Sequence, residues 1–247
     1  MRRLRFLRWL PALLVGFVVL VVATFASAPL VFTYHVTEGR LTLYSDRPFD
    51  AAKGAAILRD VEARLAASPI DDHKPHSIYV CNADWRRTLF FNRASGAAGV
   101  NYYPLTNNVF IRRSDIDADR VFGASGKIAD PPRTFTYYAA HEITHSFTAE
   151  RIGASRLWNA ALPQWVREGY ADYVGLQGRI DVDTLYRRWR EGDPEQDWAH
   201  SGRYTHFHLM VAYLLTRKHW SIEQLLAAPP TPQSVEAMMN ADFGSKN

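Results

Sequence analysis

The chain has almost no cysteine. Cys81 is the only one in 247 residues, so an intramolecular disulfide is impossible and a paired-cysteine metal or redox site is excluded. Within "HSIYVCN" it reads as a small core side chain in a strand. Low-complexity tracts and sequence-scale repeats are absent, which removes linker-like and solenoid architectures. A surplus of one charge sign is also missing once position is considered. The formal charge is +4, from 29 basic and 25 acidic residues. Arg2, Arg3, Arg5 and Arg8 account for that excess, and the remaining 25 bases match the 25 acids. No broad electrostatic footprint for nucleic acid survives this.

What is present is ordinary globular composition, 47 % hydrophobic and 22 % charged, in a chain long enough to bury a proper core. The arginine-rich start leads into an apolar run from about Trp9 to Phe25, with no charge until after His35. Extended to Leu30 or Phe32, that run reaches the length needed to span a hydrocarbon core. It reads as an uncleaved membrane anchor over residues 1–34, a single span with the rest of the chain on the extracytoplasmic side. The alternative is a secretory signal cut near "FASAP", where Ala26 and Ala28 fit a small-x-small site but Pro29 disfavours cleavage.

Residues 35–247 read as one domain. "RLTLYSD" predicts a strand, and "AAKGAAILRDVEARLAAS" a helix with Ile57, Leu58, Val61 and Leu65 at helical spacing, stopped near Pro69. "HSIYVCN" is a second strand and "ADWRRTLFF" a short helix. "GAAGVNYYPLTNNVFIRRS" gives two strand pieces joined as a hairpin or irregular edge. From Pro131 the chain turns helical, with four or five helices to its end. Strands with one helix, followed by helices, predict an α+β domain with a mixed sheet in its N-terminal half.

The chemistry concentrates in "PPRTFTYYAAHEITHSFTAERIG". Pro131 and Pro132 precede this helix and Gly153 closes it. His141 and His145 are one turn apart, so both imidazoles leave the same face, while Ile143 and Phe147 point into the core. HExxH lets two neutral imidazoles share one Zn²⁺, with Glu142 placed to act on a water. By chance alone the pattern would occur in roughly one or two such chains per hundred, so it needs a third ligand. "LPQWVREGYADYVG" offers one. Glu168 and Asp172 share a face of this next helix, Glu168 as third ligand and Asp172 as acceptor for the free ring nitrogen of a ligand histidine. Gly169, beside the expected ligand, is read as letting this helix and the HExxH helix approach closely. Val166, Tyr170, Tyr173 and Val174 cover the other side, so the acids are buried and call for a cation. A solvated acidic stripe paired with Arg167 is the plain alternative, and Trp165 on the same face speaks against it.

"HEITH", 22 residues, then "EGYAD" resembles the gluzincin branch of zincin metallopeptidases, and "PQWVREGYADY" resembles most the peptidase-MA-like families. The likeness covers about residues 135–215. It implies a zincin-like α+β fold with one zinc on His141, His145 and Glu168. It also implies Glu142 as general base and acid, Asp172 behind a histidine, and a peptide or protein substrate. In those families a tyrosine opens a later helix, which makes Tyr204 in "SGRYTHFHLMVAYLL" the first candidate to stabilise the oxyanion, with His208 second. Zincins also pair an extended substrate with the sheet edge beside the active helix, a part the strand at Val109–Arg112 would play. Three rivals stand beside this expectation: a non-catalytic zinc-binding module, a zinc hydrolase of non-protein amides, and a plain helical bundle with no metal. Oligomeric state is not legible.

Overall fold

The computed structural model describes residues 10–91, 96–153, 162–177 and 180–244. Its centre is a five-stranded mixed sheet of order β1-β2-β3-β5-β4. The strands are β1 (Tyr34–Glu38), β2 (Leu41–Ser45), β3 (His76–Cys81), β4 (Gly99–Asn101) and β5 (Asn108–Arg112). β2, β3 and β5 run parallel, and β1 and β4 are antiparallel edges. A small second sheet pairs β6 (Ser114–Asp115) with β7 (Arg120–Val121). β1 escaped the sequence reading because all five of its side chains are exposed or half-buried and give no apolar alternation.

Alternation along the strands creates two cores. Leu41, Leu43, Ile78, Val80, Val109 and Ile111 face the helices of the main core. Tyr79, Cys81 and Phe110 face the opposite side, where Phe32, Phe90 and Phe91 cover them. Cys81 is therefore the core residue its neighbours implied, and burial pushes its thiol pKa up. The crossover between β2 and β3 is the helix Ala51–Ala66, whose Asp50 caps the backbone amides of Ala52 and Lys53.

The apolar N-terminal run requires a correction. The four arginines and Trp9 lie outside the described residues. The helix that follows, α1 (Leu10–Ala26), has 17 residues, about 26 Å against the ~30 Å of a hydrocarbon core. Among the described residues no helix is long and apolar enough to cross a membrane, so the single-pass anchor and the location drawn from it are not supported. The reason is local. The chain turns at Ser27 into a separate four-residue helix, α2 (Ala28–Val31). Ala28 and Phe32, counted above as an extension of the span, are buried on the sheet instead.

The crossover helix is α3, and α4 (Asp84–Phe91) follows β3. The C-terminal half holds α5 (Phe135–Ile152), α6 (Gln164–Leu176), α7 (Val182–Arg190), α9 (Thr205–Thr216) and α11 (Pro232–Gly244), with the shorter α8 (Trp198–Ser201) and α10 (Ile222–Ala227) between them. The sequence placed three of these, α5, α6 and α9, and its expectation of four or five helices falls short of the seven α-helices in this half among the described residues. α5 starts where Thr134 Oγ1 accepts from the Tyr137 amide and ends at Gly153, whose φ of 81° suits only glycine.

α6 crosses α5 on one side and α9 on the other. A β-carbon on Gly169 would fall on the Phe207 carbonyl of α9 and come within 2.9 Å of Val211 Cγ2. A backbone carbonyl cannot yield as a side chain can. Gly169→Ala should therefore destabilise by about 2–3 kcal/mol, lowering the thermal midpoint by roughly 5–10 °C. An unchanged midpoint in a calorimetric scan would show that α6 and α9 do not approach this closely.

Candidate metal centre

Two turns of α5 and one turn of α6 bring the chemistry together. His141 and His145 leave one face of α5, as their spacing requires, and Glu168 meets them from α6. Glu168 Oε2 lies 3.4 Å from His141 Nε2 and 3.5 Å from His145 Nε2. These three residues can each offer a ligand atom, all within 4.8 Å of one another, and together could hold a metal ion. His141 and Glu168 are buried and His145 is half-buried. Glu168 Oε1 turns outward to Arg167 Nε at 3.0 Å. The arginine pairing expected of a solvated stripe is thus real, but it uses the oxygen that faces away from the histidines.

Asp172 is fully buried one turn beyond Glu168. Its Oδ1 lies 3.0 Å from His141 Nδ1, and the Tyr137 hydroxyl donates to the same oxygen. Arg133 Nη2 reaches Oδ2 at 3.3 Å. His141 thus presents Nδ1 to a carboxylate and Nε2 to Glu168. Burial alone would lower the pKa of this imidazole, but hydrogen bonding to Asp172 and Glu168 raises it to about 10. Burial likewise opposes ionisation of Glu168, yet His145 and His141 hold its carboxyl well below the usual range. Asp172 is lowered in the same way by His141 and Arg133 against the opposing effect of burial.

Arg133 and Tyr137 were missed in the sequence. Tyr137 had a signal, since it continues the stripe of His141 and His145 one turn towards the N-terminus. Arg133 had none, because it precedes the helix and nothing in "PPRTF" ties it to an acid 39 residues away.

Glu142 is 8 % exposed and lines a cleft of about 890 Å³ that also contains His141, His145 and Glu168. Burial raises its carboxyl pKa, opposed by the two histidines. The opposite wall is β4. A β-carbon on Gly99 would come within 2.5 Å of Glu142 Cγ and 2.6 Å of its Oε1, so glycine there leaves room for this side chain. Asn101 secures the two elements: its Nδ2 donates to the Glu142 carbonyl at 2.7 Å and to Ser146 Oγ at 2.8 Å.

Tyr204 stands just before α9 and lines the same cleft. Its ring lies nearly parallel to that of His141, at 11° with centroids 6.3 Å apart. Burial, then the nearness of Glu168, raises the phenol to about 12, so it remains a hydroxyl donor near neutral pH. His208 does not line this cleft. It is buried one turn further along α9, beside Tyr173 at 6.0 Å between ring centroids, and burial lowers its pKa to about 4.

The expected substrate-pairing strand also changes. Val109–Arg112 lies inside the sheet, between β3 and β4. The edge beside α5 is β4, the first strand piece of the hairpin rather than the second. Which arm of a hairpin ends outermost depends on where the second arm docks, and here β5 pairs with the distant β3.

The chain matches no protein-family model, no curated protein and no solved structure.

Proposed function

We propose that this chain is a zinc metallopeptidase of the gluzincin type, with a zincin-like domain over residues 35–247 that hydrolyses peptide bonds. The observation that carries this is the donor set. Four ligands arranged tetrahedrally about one ion at ~2.1 Å stand about 3.4 Å apart, and the two histidine–glutamate separations are 3.4 and 3.5 Å. Two imidazoles and one carboxylate suit zinc, and three protein ligands leave a fourth position for chemistry. Asp172 on His141 Nδ1 is the outer contact that fixes a ligand histidine's orientation. Three buried carboxylates, Glu142, Glu168 and Asp172, share this small volume, which favours an added cation.

Zinc at this position would polarise the scissile carbonyl and bring the pKa of a water towards neutrality. Glu142 then takes the proton of the attacking water and passes it to the leaving amine. Its burial suits that work, because a raised pKa makes the carboxylate a better proton acceptor. Tyr204 donates its hydroxyl to the developing oxyanion. The free edge of β4 offers backbone groups to an extended peptide along the cleft, in line with Glu142 through Gly99.

The direct test is metal content together with hydrolysis of an unstructured protein. One zinc per chain is expected, with cleavage that stops on chelation and returns with zinc. Zinc bound at that stoichiometry without cleavage of any peptide would leave a binding module. Cleavage confined to small amides would move the substrate class away from proteins.

A further inference from the structure

Arg133 occupies the turn between Pro132 and the start of α5 and is 8 % exposed. Its Nη2 carries two protons and has two acceptors. Asp172 Oδ2 on α6 lies at 3.3 Å, and Thr205 Oγ1, the first residue of α9, also lies at 3.3 Å. The guanidinium stands 5.7 Å from the centre of the Tyr137 ring. Tyr137 in turn donates to the other oxygen of Asp172 and lies 3.4 Å from His141 Nδ1. Arg133 also lines the cleft.

These contacts join two parts of the site that no single helix joins. Asp172 orients His141, a proposed metal ligand. Thr205 follows Tyr204, the proposed donor to the oxyanion, at the point where α9 begins. We propose that Arg133 is a positioning residue that fixes the distance between these two halves, holding the His141–Asp172 pair and the Tyr204 turn through one amino group. The proposal rests on the metallopeptidase assignment above. Arginine is needed because its terminal Nη2 reaches both acceptors and holds its two N–H donors in the fixed plane of the guanidinium. A lysine ammonium would keep the charge but end about one bond short of Nη2.

The experiment uses the full chain with Arg133→Met, Arg133→Lys and Thr205→Val. Zinc affinity is measured by calorimetric titration, kcat and KM on an unstructured peptide, and the ring nitrogens of His141 by 15N NMR. Thr205→Val should leave zinc affinity within about twofold and lower kcat about tenfold with little change in KM, since only the Tyr204 side loosens. Arg133→Met should lose both, with zinc affinity down about 10–100-fold and the His141 Nδ1 resonance displaced. Arg133→Lys should recover zinc affinity in part but not kcat. Should Arg133→Met fail to fold, the lysine variant decides: wild-type affinity together with wild-type kcat in that folded protein overturns the proposal. A folded Arg133→Met with unchanged zinc affinity and kcat also overturns it. If the wild type binds no zinc or cuts no peptide, the metallopeptidase assignment fails by itself. Arg133 is then judged on the His141 ring spectrum alone, where an unchanged Nδ1 resonance in Arg133→Met counts against it.

Discussion

Glu142→Gln should reduce peptide hydrolysis about 10²–10⁴-fold while the protein still carries one zinc per chain. The amide has nearly the same shape as the carboxylate, so it keeps the space that Gly99 leaves. His141, His145 and Glu168 do not depend on it for their mutual contacts. What is lost is the ability to accept a proton from water, and with it the proton later given to the amine. Removing a buried carboxylate that burial already disfavours in its charged form should also leave the thermal midpoint unchanged or raise it. The measurement is kcat on a peptide library with zinc content by elemental analysis on the same preparation. Undiminished turnover would sink the role given to Glu142, and loss of zinc would show that this residue is a ligand instead.

His145→Ala should release the metal. A structural zinc held by four ligands is worth about 10–16 kcal/mol, so one ligand contributes ~2.5–4 kcal/mol, or roughly 10²–10³-fold in affinity. His145 is a clean choice, because its Nδ1 is buried without a hydrogen-bond partner among the described residues. Its Nε2 faces Glu168 at 3.5 Å. Truncation thus breaks little besides the contact to the ion. His141→Ala would disturb more, since Asp172 and Tyr137 also touch that ring. Retention of full zinc in purified His145→Ala, by mass spectrometry under native conditions, would defeat the ligand assignment.

Much of this centre is legible in the sequence. HExxH and ExxxD are helical spacings, so which side chains share a face follows from 3.6 residues per turn. That the two faces meet does not follow from spacing, and Gly169, expected to admit the HExxH helix, instead admits α9 at Phe207, while Gly175 is the glycine that lies against Tyr137 of α5. What could not be read was everything set by contacts distant in sequence. The outer strand of the hairpin, Gly99–Asn101, could not be told from Asn108–Arg112, since both are short and carry apolar residues. His208 shares a helix face with Tyr204 by spacing, yet burial against Tyr173 takes it out of the cleft. The apolar run at the N-terminus was counted by hydropathy. Hydropathy does not register that Ala28 and Phe32 have a sheet face to cover.

Asn101 has a mechanical consequence. Its amide nitrogen grips the Glu142 carbonyl and Ser146 Oγ, and its oxygen accepts from the Tyr103 amide at 2.7 Å, which fixes the orientation of the amide. The rim of the cleft and the helix that carries Glu142 are thereby clamped into one unit. When that rim shifts under thermal motion or load, Glu142 shifts with it in the same direction. The spacing between a chain laid on the rim and Glu142 is then insulated from displacements that both share, leaving only their relative motion to disturb it.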